Sequence, residues 1–537
     1  MEKKRSVLFN DDFESQVKRG VDVLANAVKT TMGPKGRLVL IQRGNAHPTV
    51  TKDGVTVAQA VNLENEVENL GVKVIKEAAS RTAEEAGDGT TTATVLAQSI
   101  FNEGMKMKAA GFQTDLIVAG IREATEVVKK SLFSQKREVK DQKDLMHVAK
   151  ISANGEEHIA RLIVKALKVS GADGSVIVEE AKGFKSTLTV VDGFRLERGY
   201  LSPYFVTDKN KMTCEYENCL VLMADKEFNS IHDLMKPLEL ALEAGRPILI
   251  VANEIDNEAL QGLVVNKLKG SLRICAIKSP GFGATRHDLL QDLNSVVGGT
   301  LIDASFDVNN FKLEDFGNIK KVIAGKNHTM LVSGNKKSVT DSINGRVSSI
   351  RKRLADPATE PDELELLNYR LQQLSGGISI LRIGAATESE MIERYDRVDD
   401  ALSATRAAMQ EGILPGGGVA YVRSLPELKK EKLKVDTPDV AAGYEVIIRS
   451  ITQPFCQIIR NGSSSPEPIL KAVQEQKTNF GYDARNEVFG DMYDTGIVDP
   501  HKVSRCALEN ATSSACMLLS IGCCMVDIEK ENNLQDN

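Results

Sequence analysis

Two glycines, an aspartate and three threonines stand together at residues 87–92, directly before an amphipathic helical pattern. Glycine lets backbone N–H groups approach a ligand closely, and the first turn of a helix supplies N–H donors with a partial positive charge. The hydroxyls of Thr90, Thr91 and Thr92 could bond phosphate oxygens, and Asp88 could hold Mg²⁺, which prefers carboxylate and phosphate oxygens. The alternative is an ordinary helix cap. Because one cap residue would suffice and three threonines lower helix propensity, the pattern favours a phosphate site.

Three further segments could lie beside such a site, although each also has a common structural explanation. Residues 31–36 (Thr-Met-Gly-Pro-Lys-Gly) follow a helical pattern, where a glycine turn usually only ends the helix. Residues 51–54 place Lys52 and Asp53 where they could act near phosphates, but an Asp-Gly turn between strands is normally a hairpin. Residues 415–418 (Pro-Gly-Gly-Gly) could lie against a flat ring or form a linker. None matches the GxxxxGK[ST] or GxGxxG loops, so the common nucleotide-binding folds are not indicated.

Composition excludes several classes of function. The 537 residues predict about three or four domains. The 68 basic and 74 acidic residues give a net charge of −6, which argues against a nucleic-acid binder. No apolar run reaches the ~20 residues of a membrane span and no apolar signal segment follows the N-terminus, so we expect a cytoplasmic protein without membrane contact. The eight cysteines have no CxxC spacing, which favours reduced structural thiols over a zinc site.

Apolar spacing predicts the elements that must position these segments. Spacings of three and four residues predict helices over residues 13–30, over 63–86 and from 93 onward, with a small strand pair at 38–41 and 49–50. Short β-rich runs alternate with helical stretches between residues 175 and 277, which predicts an α/β layer with a mostly parallel sheet. Apolar stripes at 343–354 and 364–374 predict a helical hairpin. The chain is helical again from 400, which favours a domain shared by its two ends.

Taken in order, the motifs resemble those of the group I chaperonins, the GroEL type, over about residues 6–528. The matching motifs are TMGPKGR at 31–37, TKDGV at 51–55, AGDGTTTATVLA at 86–97, RGYLSPYF at 198–205, AIKSPGFG at 276–283, ATRAA at 404–408 and EGILPGGG at 411–418. Their number and shared order make coincidence an inadequate explanation.

The resemblance implies a subunit that is mainly α with α/β, built from three domains. A helical equatorial domain, residues 1–134 and 411–537, would bind ATP and make ring contacts. A small intermediate domain, residues 135–191 and 378–410, would be the hinge. An α/β apical domain, residues 192–377, would bind substrate. Members of this family usually assemble as fourteen copies in two stacked seven-membered rings.

The resemblance also implies roles for individual residues. Asp53 and Asp400 would position and polarise the attacking water, and Asp88 would hold Mg²⁺; K⁺ is a further candidate cofactor. Without the resemblance, the sequence favours an exposed carboxylate at Asp400, because Asp396, Asp399 and Asp400 form a charged helix face. The residues that the resemblance places around ATP are Thr31, Met32, Gly33, Pro34, Lys52, Asp88, Gly89, Thr90, Thr91, Thr92, Gly417, Asp483, Ala484, Arg485, Ile497 and Asp499.

Unfolded polypeptides would bind an apolar groove of the apical domain. By position, the groove residues are Tyr200, Tyr204, Phe205, Met235, Leu238, Leu260, Val264 and Val265. From the sequence alone, the spacing of Leu260, Val264 and Leu268 favours an ordinary buried helix face. His232 and Lys236 add polar groups to the first apical helix, which bears on the docking of a co-chaperonin there.

We therefore expect an ATP-dependent chaperone that captures non-native polypeptides in a ring cavity and promotes their folding. It would be a homo-oligomer of one or two heptameric rings, with a co-chaperonin as a candidate partner, in the cytoplasm or, for a viral protein, the host cytoplasm. The alternative is an ATP-hydrolysing assembly scaffold dedicated to one partner protein. Two departures from the family's pattern stand out: the C-terminal tail lacks Gly-Met repeats, and Arg485 could alter ribose or base contacts.

Overall fold

The computed structural model describes residues 5–43, 46–170, 176–181, 183–191, 193–209, 211–281, 283–303, 305–333, 337–354, 361–375, 378–476 and 479–527. The chain divides into two compact units. The first comprises Met1–Lys165, Val178–Thr187 and Arg382–Asn537, and the second comprises Ala166–Ile177 and Leu188–Leu381. The C-terminal tail from residue 528 onward, where the sequence lacks Gly-Met repeats, lies outside the described residues.

The helices of the described chain carry most of its residues. They are α1 (Asn10–Lys29), α2 (Gly54–Ala60), α3 (Glu66–Ala86), α4 (Thr90–Ala109), α5 (Thr114–Gln135), α6 (Gln142–Ser152), α7 (Glu157–Ser170), α8 (Met235–Glu243), α9 (Asn257–Leu268), α10 (Gly283–Val297), α11 (Lys337–Leu354), α12 (Pro361–Ser375), α13 (Glu388–Glu411), α14 (Val419–Lys432), α15 (Pro438–Ser450), α16 (Gln453–Asn461), α17 (Pro466–Glu475) and α18 (His501–Ser520). Among the described residues, none of these helices is both long and apolar enough to cross a membrane.

The strands form one large sheet and several small ones. They are β1 (Arg5–Phe9), β2 (Val39–Arg43), β3 (Ala46–Thr51), β4 (Val176–Glu180), β5 (Thr187–Val191), β6 (Gly193–Leu196), β7 (Cys214–Phe228), β8 (Ile248–Ile255), β9 (Ile274–Lys278), β10 (Leu301–Ile302), β11 (Gly317–Ala324), β12 (Thr329–Val332), β13 (Ile378–Ile383), β14 (Ile413–Pro415), β15 (Phe480–Asp483), β16 (Val488–Asp491), β17 (Val498–Pro500) and β18 (Cys523–Asp527).

The first unit is a helical body around one apolar core. Helices α1, α3, α4, α5, α14, α15, α16 and α18 all contribute buried side chains to this core. The apolar stripe of α1 is buried as its spacing predicts, since Val21, Leu24 and Val28 have no exposed surface. The first and last strands, β1 and β18, pair antiparallel along their full length. The two ends of the chain therefore fold together, while the predicted boundary between equatorial and intermediate domains stays a prediction.

The second unit contains a seven-stranded sheet in the order β6-β12-β11-β7-β8-β9, with β10 paired to β7. Strand β7 pairs in parallel with β8 and β10, and β8 pairs in parallel with β9. Their central residues form apolar runs, which are typical of a sheet covered on both faces. The other half is antiparallel, because β11 pairs with both β12 and β7, and β12 pairs with β6. The prediction of a mostly parallel sheet was therefore correct for only half of it.

The predicted helical hairpin is present as α11 and α12, and its turn lies outside the described residues. A buried ion-pair network ties both arms to α10. Arg346 and Arg370 lie 2.6 and 2.7 Å from the carboxylate of Asp292, whose side chain has no exposed surface. Each buried charge therefore has a partner, which removes the large cost of an isolated one.

Candidate functional site

A cavity of about 590 Å³ lies within the first unit, between its N-terminal, central and C-terminal segments. It is lined by every residue that the sequence places near ATP or the attacking water: Thr31, Met32, Gly33, Pro34, Lys52, Asp53, Asp88, Gly89, Thr90, Thr91, Thr92, Asp400, Gly417, Asp483, Ala484, Arg485, Ile497 and Asp499. The first and the last of these residues are more than 450 positions apart along the chain, so only the tertiary fold brings the set together.

The glycine-threonine segment forms the link between α3 and α4. Gly87 and Gly89 have φ angles of 71° and 86°, in the left-handed region that glycine adopts without steric strain. Gly89 occupies the N-cap position of α4, and no side chain caps this helix. Asp88 accepts a hydrogen bond from the N–H of Gly89 at 2.5 Å instead of bonding the first turn. The helix-cap alternative is therefore wrong, and the start of α4 opens onto the cavity.

Residues 51–54 do not form a hairpin turn. The hairpin is β2–β3, and Asp53 is the N-cap of α2, where its two carboxylate oxygens accept hydrogen bonds from Val55 and Thr56 at 3.2 and 2.7 Å. A Cβ atom at Gly54 would lie 2.4 Å from Oγ1 of Thr91, so a larger residue there would force the threonine side chain to move. The packing brings Asp53 beside the start of α4.

Residues 31–34 follow the end of α1 at Lys29, and they line the cavity. The Lys52 ammonium donates a hydrogen bond to the carbonyl of Gly33 at 2.9 Å. The side-chain amide of Asn461, from α16, donates to the carbonyl of Met32 at the same distance. A turn made by the N-terminal segment is thus held by side chains from two other parts of the chain.

C-terminal segments also line the cavity. Strand β14 pairs with β17, and the N–H of Gly416 donates to the carbonyl of Ile497 at 2.9 Å. Burial raises the pKa of Asp499 to about 6, against hydrogen bonds from the backbone of Gly418 and Gly417 that favour its charged form. Asp499 is thus a buried acceptor held against the glycine-rich turn.

Helix α13 places an acidic face on the cavity. Glu393, Asp396, Arg397 and Asp400 recur at helical spacing and all line it, whereas the neighbouring Asp399 is exposed. The reading of Asp400 as a surface carboxylate is therefore wrong, because the helix turns it inward. The helix also packs closely on the residue 87–89 link, since a Cβ atom at Gly87 would lie 2.3 Å from Cβ of Ser403.

Acidic side chains outnumber the lysines and arginines that line the cavity. Burial, together with Asp88 and Asp53, raises the pKa of Asp400 well above its ordinary value. Burial and Asp53 raise the pKa of Asp88 and bring that of Asp396 to about 7. Carboxylates that share a low-dielectric site resist joint ionisation, and a bound cation relieves this repulsion.

No group of three His, Cys, Asp or Glu side chains in the described part of the chain is arranged to hold a metal ion. Mg²⁺ commonly needs only one or two carboxylates, because it keeps waters and takes phosphate oxygens as ligands. Asp88, beside three threonine hydroxyls, therefore fits Mg²⁺ that arrives with a phosphate ligand.

Several cavity residues carry no signal in the sequence. The end of α6 and the turn after it contribute His147, Lys150, Ile151, Ser152, Asn154 and Gly155. Ser152 donates a hydrogen bond to Asp88 at 3.4 Å, a contact between residues 64 positions apart. Arg397 also lines the cavity. Burial lowers the pKa of Lys52, and the nearby charges of Arg397 and Arg485 lower it further. Only knowledge of the tertiary fold identifies these residues.

The predicted groove residues of the second unit divide into three groups. Tyr204, Met235 and Val265 are exposed, at 64%, 43% and 46% of their surface. Tyr200, Leu260 and Val264 are half-buried and pack against the core.

Phe205 and Leu238 are core residues, which corrects their assignment to the groove. They are exposed at 0% and 5% because they lie on the inner sides of the turn at Pro203–Phe205 and of α8. Leu268, read as part of a buried face, is 65% exposed.

Comparison with known proteins agrees with this architecture. A model of the TCP-1/cpn60 chaperonin family matches residues 24–529. The fold is similar to that of the chaperonin gp146 from the bacteriophage EL 2 (Pseudomonas aeruginosa), crystallised in the presence of ATP-BeFx. One crystal form of that protein superposes with a TM-score of 0.68 at 24% identity, covering 97% of this chain and 99% of the other. A second form gives a TM-score of 0.62 at 23% identity with the same coverage. With the family model matching nearly the whole sequence, the chain belongs to the TCP-1/cpn60 chaperonin family.

Proposed function

We propose that this protein is an ATP-dependent chaperone that captures non-native polypeptides and promotes their folding through ATP binding and hydrolysis. The observation that carries the proposal is the convergence of all predicted nucleotide residues on one cavity. Membership of the chaperonin family supports the chaperone role. The ATP analogue present with gp146 makes a nucleotide the natural candidate for this cavity too.

In this proposal, the start of α4 binds the phosphates of ATP. Its first-turn N–H groups and threonine hydroxyls are donors, and the helix dipole favours negative charge there. Lys52, held over the turn at Gly33, adds a positive charge. Gly417 and the segment at residues 483–485 line the same cavity and would contact ribose and adenine.

Asp88 would hold Mg²⁺, whose charge would favour the ionised forms of the surrounding carboxylates. Asp400 would then accept the proton of the attacking water, and Asp53 would orient that water. Because Asp400 belongs to α13 and Asp53 to the N-terminal segment, the reaction requires α13 to stay packed on the residue 87–89 link. Hydrolysis would thus be coupled to the position of α13.

The exposed side chains Tyr204, Met235 and Val265 would contact unfolded polypeptides. Apolar contact is non-directional, so it suits clients of many sequences. We further propose a homo-oligomer of heptameric rings, in which repeated weak contacts give strong capture of one client. A co-chaperonin and K⁺ are additional components to test with the assembled particle.

Nucleotide titration of the assembled protein tests this function. We expect ATP to bind with Mg²⁺ present and to be hydrolysed by particles far larger than the 58.5-kDa chain. An Asp88→Lys variant should lose Mg-ATP affinity, because its ammonium would occupy the cation position. A wild-type protein that binds no ATP, or that hydrolyses it as a monomer, would contradict the proposal. Rings that hydrolyse ATP yet protect only one client would favour the dedicated scaffold.

A further inference from the structure

Arg485 makes a contact across the cavity that its position in the sequence does not predict. One terminal nitrogen of its guanidinium, Nη2, donates hydrogen bonds to the backbone carbonyl of Asn154 at 2.9 Å and to its side-chain Oδ1 at 3.2 Å. A Cβ atom at Gly155 would lie 2.2 Å from the other terminal nitrogen, Nη1. The guanidinium therefore lies directly on the turn formed by these two residues.

This turn ends helix α6. Asn154 and Gly155 have φ angles of 54° and 90°, and the N–H of Gly155 donates to the carbonyl of Lys150 at 2.7 Å. The C-terminal end of a helix carries a partial negative charge, so a guanidinium is favourable there. The hydrogen bonds and the favourable charge therefore act together at this contact, although Arg485 itself is exposed to solvent.

The opposite end of the contact is also fixed. Asp483 accepts hydrogen bonds from the N–H groups of Arg485 and Asn486 at 2.8 and 3.2 Å, and from the side-chain amide of Asn486 at 2.7 Å. The backbone of Arg485 is therefore held in the cavity wall while its side chain reaches the α6 turn. Both ends line the cavity, together with Ser152, which contacts Asp88.

We propose that Arg485 is a positioning residue that holds the C-terminal turn of α6 over the nucleotide cavity and so slows release of the bound nucleotide. The inference rests on the proposed ATP-binding function and extends it, because it assigns the side chain to the α6 turn instead of to ribose or base. Charge-assisted hydrogen bonds at an exposed site have modest net strength, so the expected effect is about three- to tenfold.

Release of a fluorescent ADP analogue from the assembled protein, chased with excess ATP, tests this role. We expect Arg485→Ala to release the analogue about three- to tenfold faster than wild type, and Arg485→Lys to be intermediate because it keeps the charge without the planar fork. Arg161→Ala is the matched control. It removes an exposed arginine of α7 that does not line the cavity, and it should release at the wild-type rate.

Hydrogen exchange separates the turn from a direct ligand contact. With the analogue bound, Arg485→Ala should increase exchange at the amides of residues 153–156 as well as speeding release. Faster release with unchanged exchange there would overturn the inference in favour of direct contact with the nucleotide, and an unchanged release rate would overturn it outright. If Arg485→Ala does not assemble, the release rate and the exchange at residues 153–156 are measured in Arg485→Lys instead, and they test the inference in the same way. A wild-type protein that fails to bind the analogue would refute the proposed function instead.

Discussion

Asp400 reaches the cavity because it lies four residues after Asp396 and seven after Glu393 on one helix, so all three share a face. Its neighbour Asp399 points to solvent. Asp399 and Asp400 are adjacent aspartates with different surroundings, so the same substitution at each position gives a variant and its matched control.

Replacing Asp400 by Ala should leave ATP binding intact and lower the hydrolysis rate by about 10²–10⁴-fold, the usual contribution of a carboxylate that accepts or orients a proton. Equilibrium binding of a non-hydrolysable analogue and single-turnover hydrolysis measure the two steps separately. The control is Asp399→Ala, which should retain hydrolysis. Near wild-type turnover in Asp400→Ala would remove the catalytic assignment.

Asp396 should make stability depend on pH. Burial, Asp53, Asp399 and Glu393 raise its pKa to about 7 from 3.8, so the folded protein is favoured while this carboxyl is protonated. That contribution is complete below pH 3.8 and is lost as pH rises through about 7. In the nucleotide-free protein, Asp396→Asn should therefore raise the melting temperature over wild type most at pH 8, and by less at pH 5, where only part of the contribution is lost.

The gain at pH 8 should correspond to about 1 kcal/mol or less, because water screens a half-buried group. Thermal melts of both proteins across this pH range give the comparison. An equal difference at both pH values would show that Asp396 does not titrate between them.

Among the secondary-structure elements, the helices were predictable because their apolar residues recur at regular spacing. The antiparallel strands and the α6 turn were not, because they depend on contacts made by the tertiary fold. The apolar stripe of α1 and the terminal glycine of α3 fixed both helices to within a few residues. The sequence does not predict strand β11, because Asn318 and Lys320 interrupt its apolar pattern, and so it does not predict the antiparallel half of the sheet. Motif residues identified most of the cavity, while the α6 turn was unpredictable because its contacts are long-range.

The packing of α13 on the link between α3 and α4 should depend on glycine at position 87. Gly87→Ala combines left-handed backbone strain of about 1–2 kcal/mol with a clash against Ser403. We expect a lower melting temperature and slower hydrolysis, since α13 carries Asp400. Adding Ser403→Gly should restore part of the hydrolysis rate by removing the clash.

Gly111→Ala is the control, because Gly111 has a φ of 94° and a Cβ atom there would meet nothing within 4 Å. Gly111→Ala should lower the melting temperature through backbone strain and leave the hydrolysis rate unchanged. Equal hydrolysis rates in Gly87→Ala and Gly111→Ala would show that the contact between α13 and the link does not matter for the reaction.

At the scale of the whole molecule, client capture should separate from stability. Val265 of α9 is 46% exposed, whereas Leu263 of the same helix is fully buried. Val265→Ser and Tyr204→Glu should therefore weaken suppression of client aggregation while leaving the melting temperature unchanged. Leu263→Ser should lower stability by at least about 2 kcal/mol. A large loss of stability in Val265→Ser would assign that residue to the core.

Recovery of a chemically denatured client enzyme, diluted onto the assembled protein with and without Mg-ATP, tests the central claim most directly. The account predicts that the client stays captured and inactive without nucleotide, and that its activity returns once Mg-ATP is added. Asp400→Ala should capture the client but fail to support repeated rounds of recovery. Client recovery that is equal with and without Mg-ATP would contradict an ATP-dependent folding function.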